Sequence, residues 1–138
     1  MITISDKSRA AVGALTELAR RGEACPVPIL EVAECRAVPL HLLEQLFAGL
    51  RRAGVLQSQR GVKGGYSFRR PPAEVTLLEV VETVDGRLVV ARGADRWSAS
   101  DAVWEQARLR LTDLLGELTI ADMVEREERA AQAPMFHI

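Results

Sequence analysis

Residues 38–70 read VPLHLLEQLFAGLRRAGVLQSQRGVKGGYSFRR, and this stretch decides the fold. Leu43, Leu46, Phe47 and Leu50 recur at i, i+3, i+4 and i+7, the spacing that lines one face of an amphipathic helix. Pro39 suits the first helical position, where a missing N–H costs nothing. Gly54 follows Arg51, Arg52 and Ala53 as a C-terminal stop, and the two arginines lie where the helix dipole favours cations. His41, Leu42, Glu44, Gln45 and Arg52 are expected on the face turned away from the core. Two strand-like segments follow, residues 55–59 and 66–70, joined by Gly61-Val-Lys-Gly-Gly65, whose glycines tolerate positive φ. A helix, a tight turn and a β-hairpin together predict the reading half of a winged helix-turn-helix.

Charge sharpens this. From Gln45 to Ala73 the chain holds Arg51, Arg52, Arg60, Lys63, Arg69 and Arg70 and no acid. Such a stripe suits phosphates or a narrow minor groove. An exposed helix of about four turns with His41 and Gln45 in its first half suits the major groove, where side chains read base edges. The alternative is a merely solvated charged surface, for which a glycine loop is no counter-evidence.

The segment LLEQLFAGLRRAGVLQSQRGVKGGYSF resembles the recognition helix and wing of the Rrf2 family of bacterial transcription regulators, whose pattern is close to YLEQLxxxLRxxGLVxSxRGxxGGY. The early stretch DKSRAAVGALTELA resembles that family's TKGRYAVxAxLxLA, with Ala10 in place of the common aromatic residue. Glu44, Gln45, Arg51, Arg60, Gly64, Gly65 and Tyr66 stand at matching positions, which the resemblance assigns to DNA binding. Pro39 and His41 replace small hydroxylic residues, which leaves the operator sequence open. The resemblance implies a homodimer built largely on a long C-terminal helix and binding near-palindromic double-stranded DNA operators.

The 138 residues, 48% hydrophobic and 27% charged, are enough for one compact unit with a core and an added assembly element. Its fold class is expected to be mainly α with a small β-hairpin wing, residues 1–72 forming the DNA-binding region and 73–138 the dimerisation and sensing helices with a tail. No run of about 18 apolar residues suggests a membrane span, and charges among the first 19 residues argue against a signal peptide. A cytoplasmic location is expected, with which two cysteines and no disulfide framework agree. The net charge of −1 hides a division. Residues 1–72 hold 11 Lys or Arg against 6 Asp or Glu, and residues 73–138 hold 7 against 13. One half is attracted to a polyanion and the other kept from it.

Residues 6–21 are expected to form the first helix, with Ala11, Leu15, Leu18 and Ala19 inward and Ser5 or Asp6 as cap. Lys7 and Arg9 in its first turn oppose the helix dipole. A phosphate is one candidate for the compensating anion, and pairing with Asp6 is the other. Residues 29–37 form the support helix, with Ile29, Val32 and Ala33 on one face. Cys25 and Cys35 flank it. Burial is the commoner fate of a lone thiol, and Cys25, in a loop, is the better candidate for a redox-responsive one, although no cation adjoins it in the sequence.

Residues 76–85 are expected to be helical, with Leu77, Leu78, Val80, Val81 and Val84 inward and Gly86 as stop; residues 88–90 are a short strand or loop. In many Rrf2 proteins the next region supplies three cysteines, and often a histidine, to an iron–sulfur cluster. Here residues 91–104 contain neither, so the expectation is no cluster, no zinc and no other cofactor. Residues 98–118 form the longest helix, with Trp104, Leu111, Leu115 and Leu118 near a heptad stripe and Val103, Ala107 and Leu114 beside it, as a dimer interface or an ordinary core face. Residues 119–128 follow as an acidic helix capped by Thr119.

The tail ends in Met135, Phe136, His137 and Ile138, apolar residues in a position normally polar. Within the family this ending and the missing cysteines look most like the cysteine-metabolism repressor branch, which is associated with O-acetylserine sulfhydrylase. The tail is therefore read either as a docking segment for that enzyme or as cover for an apolar groove in its own dimer. No Ser/His/Asp set, carboxylate pair or phosphate-binding loop supports an enzyme.

Overall fold

The computed structural model describes residues 2–22, 25–90 and 98–132. Helix α1, Asp6–Arg20, starts at Ser5, whose hydroxyl accepts from the Ser8 N–H. Ala11, Ala14, Leu15 and Leu18 form its buried stripe, and α1 is the central post of the fold. Against it pack α2, Ile29–Arg36, then α3, Leu40–Arg52, then α4, Leu77–Asp85, and α6, Ile120–Gln132. Helix α5, Ala99–Glu117, packs chiefly on α4. The only sheet among the described residues is an antiparallel hairpin of β1, Leu56–Gln59, and β2, Gly65–Phe68, in register Leu56↔Phe68 to Gln59↔Gly65.

The turn between α2 and α3 uses no glycine. Ala37 takes the left-handed conformation (φ 52°) and donates its N–H to the last carbonyls of α2, so the helix-turn-helix bend is held at a residue that ordinarily avoids it. Pro39 is the residue before α3 rather than its first helical residue. Leu43, Leu46, Phe47 and Leu50 are buried as the periodicity predicts. The Val55 N–H then caps Leu50, and the Arg69 N–H returns to Val55, which closes the hairpin onto the helix end.

Thr76 caps α4 through the Glu79 N–H. Residues 88–90 form no strand; Leu88 is buried as a loop residue. The entry to α4 is tied to the α5–α6 junction by Leu77 N–H to Leu118 O and Ile120 N–H to Val75 O, both 2.9 Å. Thr119 caps α6 through the Asp122 N–H. The proposed dimer stripe divides. Leu115 is buried and Leu111 and Leu118 pack partly against the protomer's own core, whereas Trp104 and Leu114 face outward. The helix faces two ways because it is longer than its own domain can cover.

Candidate nucleic-acid interface

Burial of one side of α3 fixes what the other side presents. His41, Glu44, Gln45, Arg51 and Arg52 are exposed, while Leu42 turns inward and packs partly against the core. The open face therefore offers an imidazole, a carboxylate, an amide and two guanidinium groups, the side-chain types that hydrogen-bond base edges and phosphates. Arg51 also donates to the Ser58 hydroxyl at 3.1 Å, which fastens the wing to the end of the recognition helix.

At the wing tip, Arg60, Val62 and Lys63 are exposed, and the turn closes through Gly64 N–H to Gly61 O at 2.9 Å. Gly64 and Gly65 are needed for packing. A side chain at Gly64 would fall 2.3 Å from Gln59 O, and one at Gly65 would fall 2.2 Å from Val27 O. That second approach exists because β2 pairs with the loop before α2, with Val27 and Tyr66 exchanging two 2.9 Å backbone hydrogen bonds. Tyr66 lays its ring edge-on against Phe47, centroids 5.1 Å apart. Gly64, Gly65 and Tyr66 thus have internal tasks that explain their identity: they hold the wing against the recognition helix.

Not all of the cationic stripe is available. Arg70 pairs with Glu79 and reaches the Gly54 carbonyl at 3.4 Å. Arg52, Arg60, Lys63 and Arg69 form no ion pair among the described residues. With Arg51, which donates to the neutral Ser58 hydroxyl, five uncompensated cations remain around α3 and the hairpin.

Lys7 and Arg9, expected to meet an anion in the first turn of α1, are exposed. Asp85, at the end of α4, accepts from the Ser5 N–H at 2.9 Å, the Ser8 hydroxyl at 2.8 Å and the Ser5 hydroxyl. The anion at the start of α1 is the protein's own. Burial alone would raise the Asp85 pKa, but hydrogen bonds from Ser5 and Ser8 and the charge of Lys7 outweigh it and hold the carboxyl below its usual range. Arg9 lies 3.5 Å from Asp6 in a fully solvated pair, which contributes little.

A second ionic cluster is local only in part. Glu17 on α1 is 5% exposed and meets Arg20, Arg21 and Arg36. Arg36 on α2 also forms a two-pronged pair with Glu127 on α6, both contacts 2.8 Å. Burial works to raise the Glu17 pKa, yet hydrogen bonds from Arg21 and the Cys35 thiol and the charges of Arg20 and Arg36 bring it below the ordinary value. Charges arriving 19 and 91 residues away in sequence follow no periodicity. Cys25 and Cys35 are both exposed free thiols, contrary to the burial that lone cysteines usually meet. The tail residues Met135, Phe136, His137 and Ile138 lie outside the described residues.

A support helix, a recognition helix with an open polar face and a cationic hairpin wing define a winged helix-turn-helix protein of the transcription-regulator class. The family model of Rrf2, described as an iron-dependent transcriptional regulator, matches residues 4–126, and the chain belongs to the Rrf2 family. It is 32% identical over 133 residues to the HTH-type transcriptional regulator IscR of Escherichia coli O1:K1 / APEC, covering 91% of this chain and 82% of that one. CymR, the global cysteine regulator of B. subtilis, superposes with a TM-score of 0.84 at 28% identity, over 91% of this chain and 98% of the other. IscR of T. potens gives 0.82 at 31% identity, over 96% and 93%. These relatives are transcription regulators, and the chain is one rather than an enzyme.

The family description invokes iron, and the donor set here does not fit an iron–sulfur cluster. Of the chain's two cysteines, Cys25 lies in the loop before α2 and Cys35 in the last turn of α2. No cysteine follows Cys35. Among the described residues no group of three or more His, Cys, Asp or Glu side chains could hold a metal ion.

Proposed function

We propose that the chain is a homodimeric, sequence-specific DNA-binding repressor that acts in the cytoplasm without an iron–sulfur cluster and controls cysteine or sulfur metabolism. The observation that carries this is the open α3 face of His41, Glu44 and Gln45 beside the unpaired Arg52, Arg60, Lys63 and Arg69. Base-reading groups on a helix, with cations placed to either side, are the division of labour that specific DNA binding requires. Homodimerisation is supported by the outward apolar side of α5 and by the two-fold logic of paired half-sites one DNA turn apart. No helix among the described residues is long and apolar enough to cross a membrane.

The sulfur assignment is supported by likeness to CymR together with a donor set that cannot hold a cluster. On this reading residues 135–138 dock on O-acetylserine sulfhydrylase, and the exposed Cys25 offers an alternative redox input. A gel shift with DNA from upstream of the chain's own operon tests the proposal. Retardation of that fragment, but not of unrelated DNA of equal length, is expected. Calorimetry against O-acetylserine sulfhydrylase, with and without residues 135–138, tests the partner: equal affinities would remove the tail from that role.

A further inference from the structure

Strand β2 pairs with β1 along one edge, and its outer edge is paired at Tyr66, which exchanges two 2.9 Å backbone hydrogen bonds with Val27. In an antiparallel ladder alternate residues send both backbone groups to the same side. Phe68, two residues on, therefore turns its N–H and C=O as Tyr66 does, away from β1. Neither group has a backbone partner among the described residues. Phe68 borders a cavity of about 340 Å³ between the end of α1, the hairpin and the turn after β2, with Leu18, Ala19, Pro71 and Pro72 as apolar walls and Gln57 and Arg69 as polar ones. No carboxylate lines it among the described residues. Its charged groups are Arg70, taken by Glu79, and Arg69, which forms no ion pair among the described residues.

We propose that this cavity is a binding site for a small N-acylated amino acid with an apolar side chain. The ligand's carboxylate meets the Arg69 guanidinium, the residue suited to a planar anion. Its amide exchanges N–H and C=O with Phe68, continuing along β2 the pairing that Val27 makes with Tyr66. Its side chain lies on Leu18, Pro71 and Pro72. A free amino acid fits less well, because its ammonium would stand beside two arginines with no counter-charge. The volume lies at the lower end of what small-molecule sites enclose, which favours a ligand of this size. Such a ligand neutralises one of the cations around the hairpin, so occupancy weakens DNA binding and flattens its salt dependence; this last step alone rests on the DNA-binding function proposed above.

Calorimetry of the full chain without DNA, with N-acetyl-L-leucine as the probe, tests the site. Saturable binding is expected, with leucine and the uncharged N-acetyl-L-leucinamide each at least about tenfold weaker, the loss that removing a hydrogen-bonded charge brings. Arg69→Gln should weaken the probe by a similar factor, and Ala19→Phe, which narrows the cavity from its apolar side, should weaken it as well, each with helical content unchanged. No saturable binding by the wild type, equal affinity for the acid and its amide, or an Arg69→Gln chain that binds as the wild type does would overturn the site. DNA titrations with saturating probe test the link: the salt slope should flatten by about one unit in the wild type and stay unchanged in Arg69→Gln. An unchanged wild-type slope would overturn the link, and a chain that binds no DNA would overturn the proposed function and the link together, but not the site.

Discussion

At Gly65 a methyl group would lie 2.2 Å from the Val27 carbonyl oxygen, on a backbone at φ 151° that side chains rarely adopt. The position belongs to the attachment of the wing, and its replacement should act on stability before it acts on DNA. Gly65→Ala is expected to cost about 3 kcal/mol in urea denaturation, the upper end for a strained backbone site, whereas Lys63→Ala at the exposed tip should change stability by less than about 0.5 kcal/mol. DNA binding should divide differently. Gln45→Ala, on the open face of α3, is expected to relax discrimination between operator and random duplex. Lys63→Ala should weaken both and flatten the salt slope by about one unit. Competition titrations measure this, and an equal loss on both DNAs for Gln45→Ala would remove Gln45 from base reading.

Among the elements, α1 depends on α4 for the charge at its start. Asp85 gathers the Ser5 N–H and the Ser5 and Ser8 hydroxyls, and its pKa lies below the ordinary Asp value of 3.8. A depressed carboxylate contributes stability that is complete above its unfolded pKa and lost as pH falls through the folded one. Asp85→Asn should therefore be less stable than the wild type at pH 7, with the gap narrowing below about pH 4; a gap independent of pH would deny the carboxylate this role. The helices themselves were legible because α1, α3 and α4 carry apolar residues at the helical period, with a marked cap at Ser5 and a stop at Gly86. The hairpin was legible from its glycines. The Ala37 turn was not, since alanine carries no signal for a left-handed bend. Nor was the anion at α1, because Asp85 reaches Ser5 and Ser8 from 77 to 80 residues away. The apolar side of α5 was half legible: periodicity identified it, but could not tell Leu115, which the protomer covers, from Trp104 and Leu114, which it leaves open.

Over the whole molecule, an almost neutral chain separates its charges, and the separation has a structural seam. Arg36 on the support helix joins the buried Glu17 of the basic half to Glu127 of the acidic half, so the elements beneath the DNA-facing surface are fastened to those expected to assemble the dimer. Cys25 before α2 and Cys35 within it do not make up a cluster's thiolate set, and anaerobically purified protein should be colourless; stoichiometric iron and sulfide would overturn that. In the proposed function this fold reads DNA sequence, with cations supplying affinity and α3 supplying choice. Anisotropy titration of the full chain against its own upstream DNA and a shuffled duplex, repeated over a range of salt, tests it most directly. The prediction is binding at least about 10³-fold tighter to the upstream DNA, with log affinity for both duplexes falling linearly in log salt; equal affinity for the two duplexes at every salt concentration would contradict it.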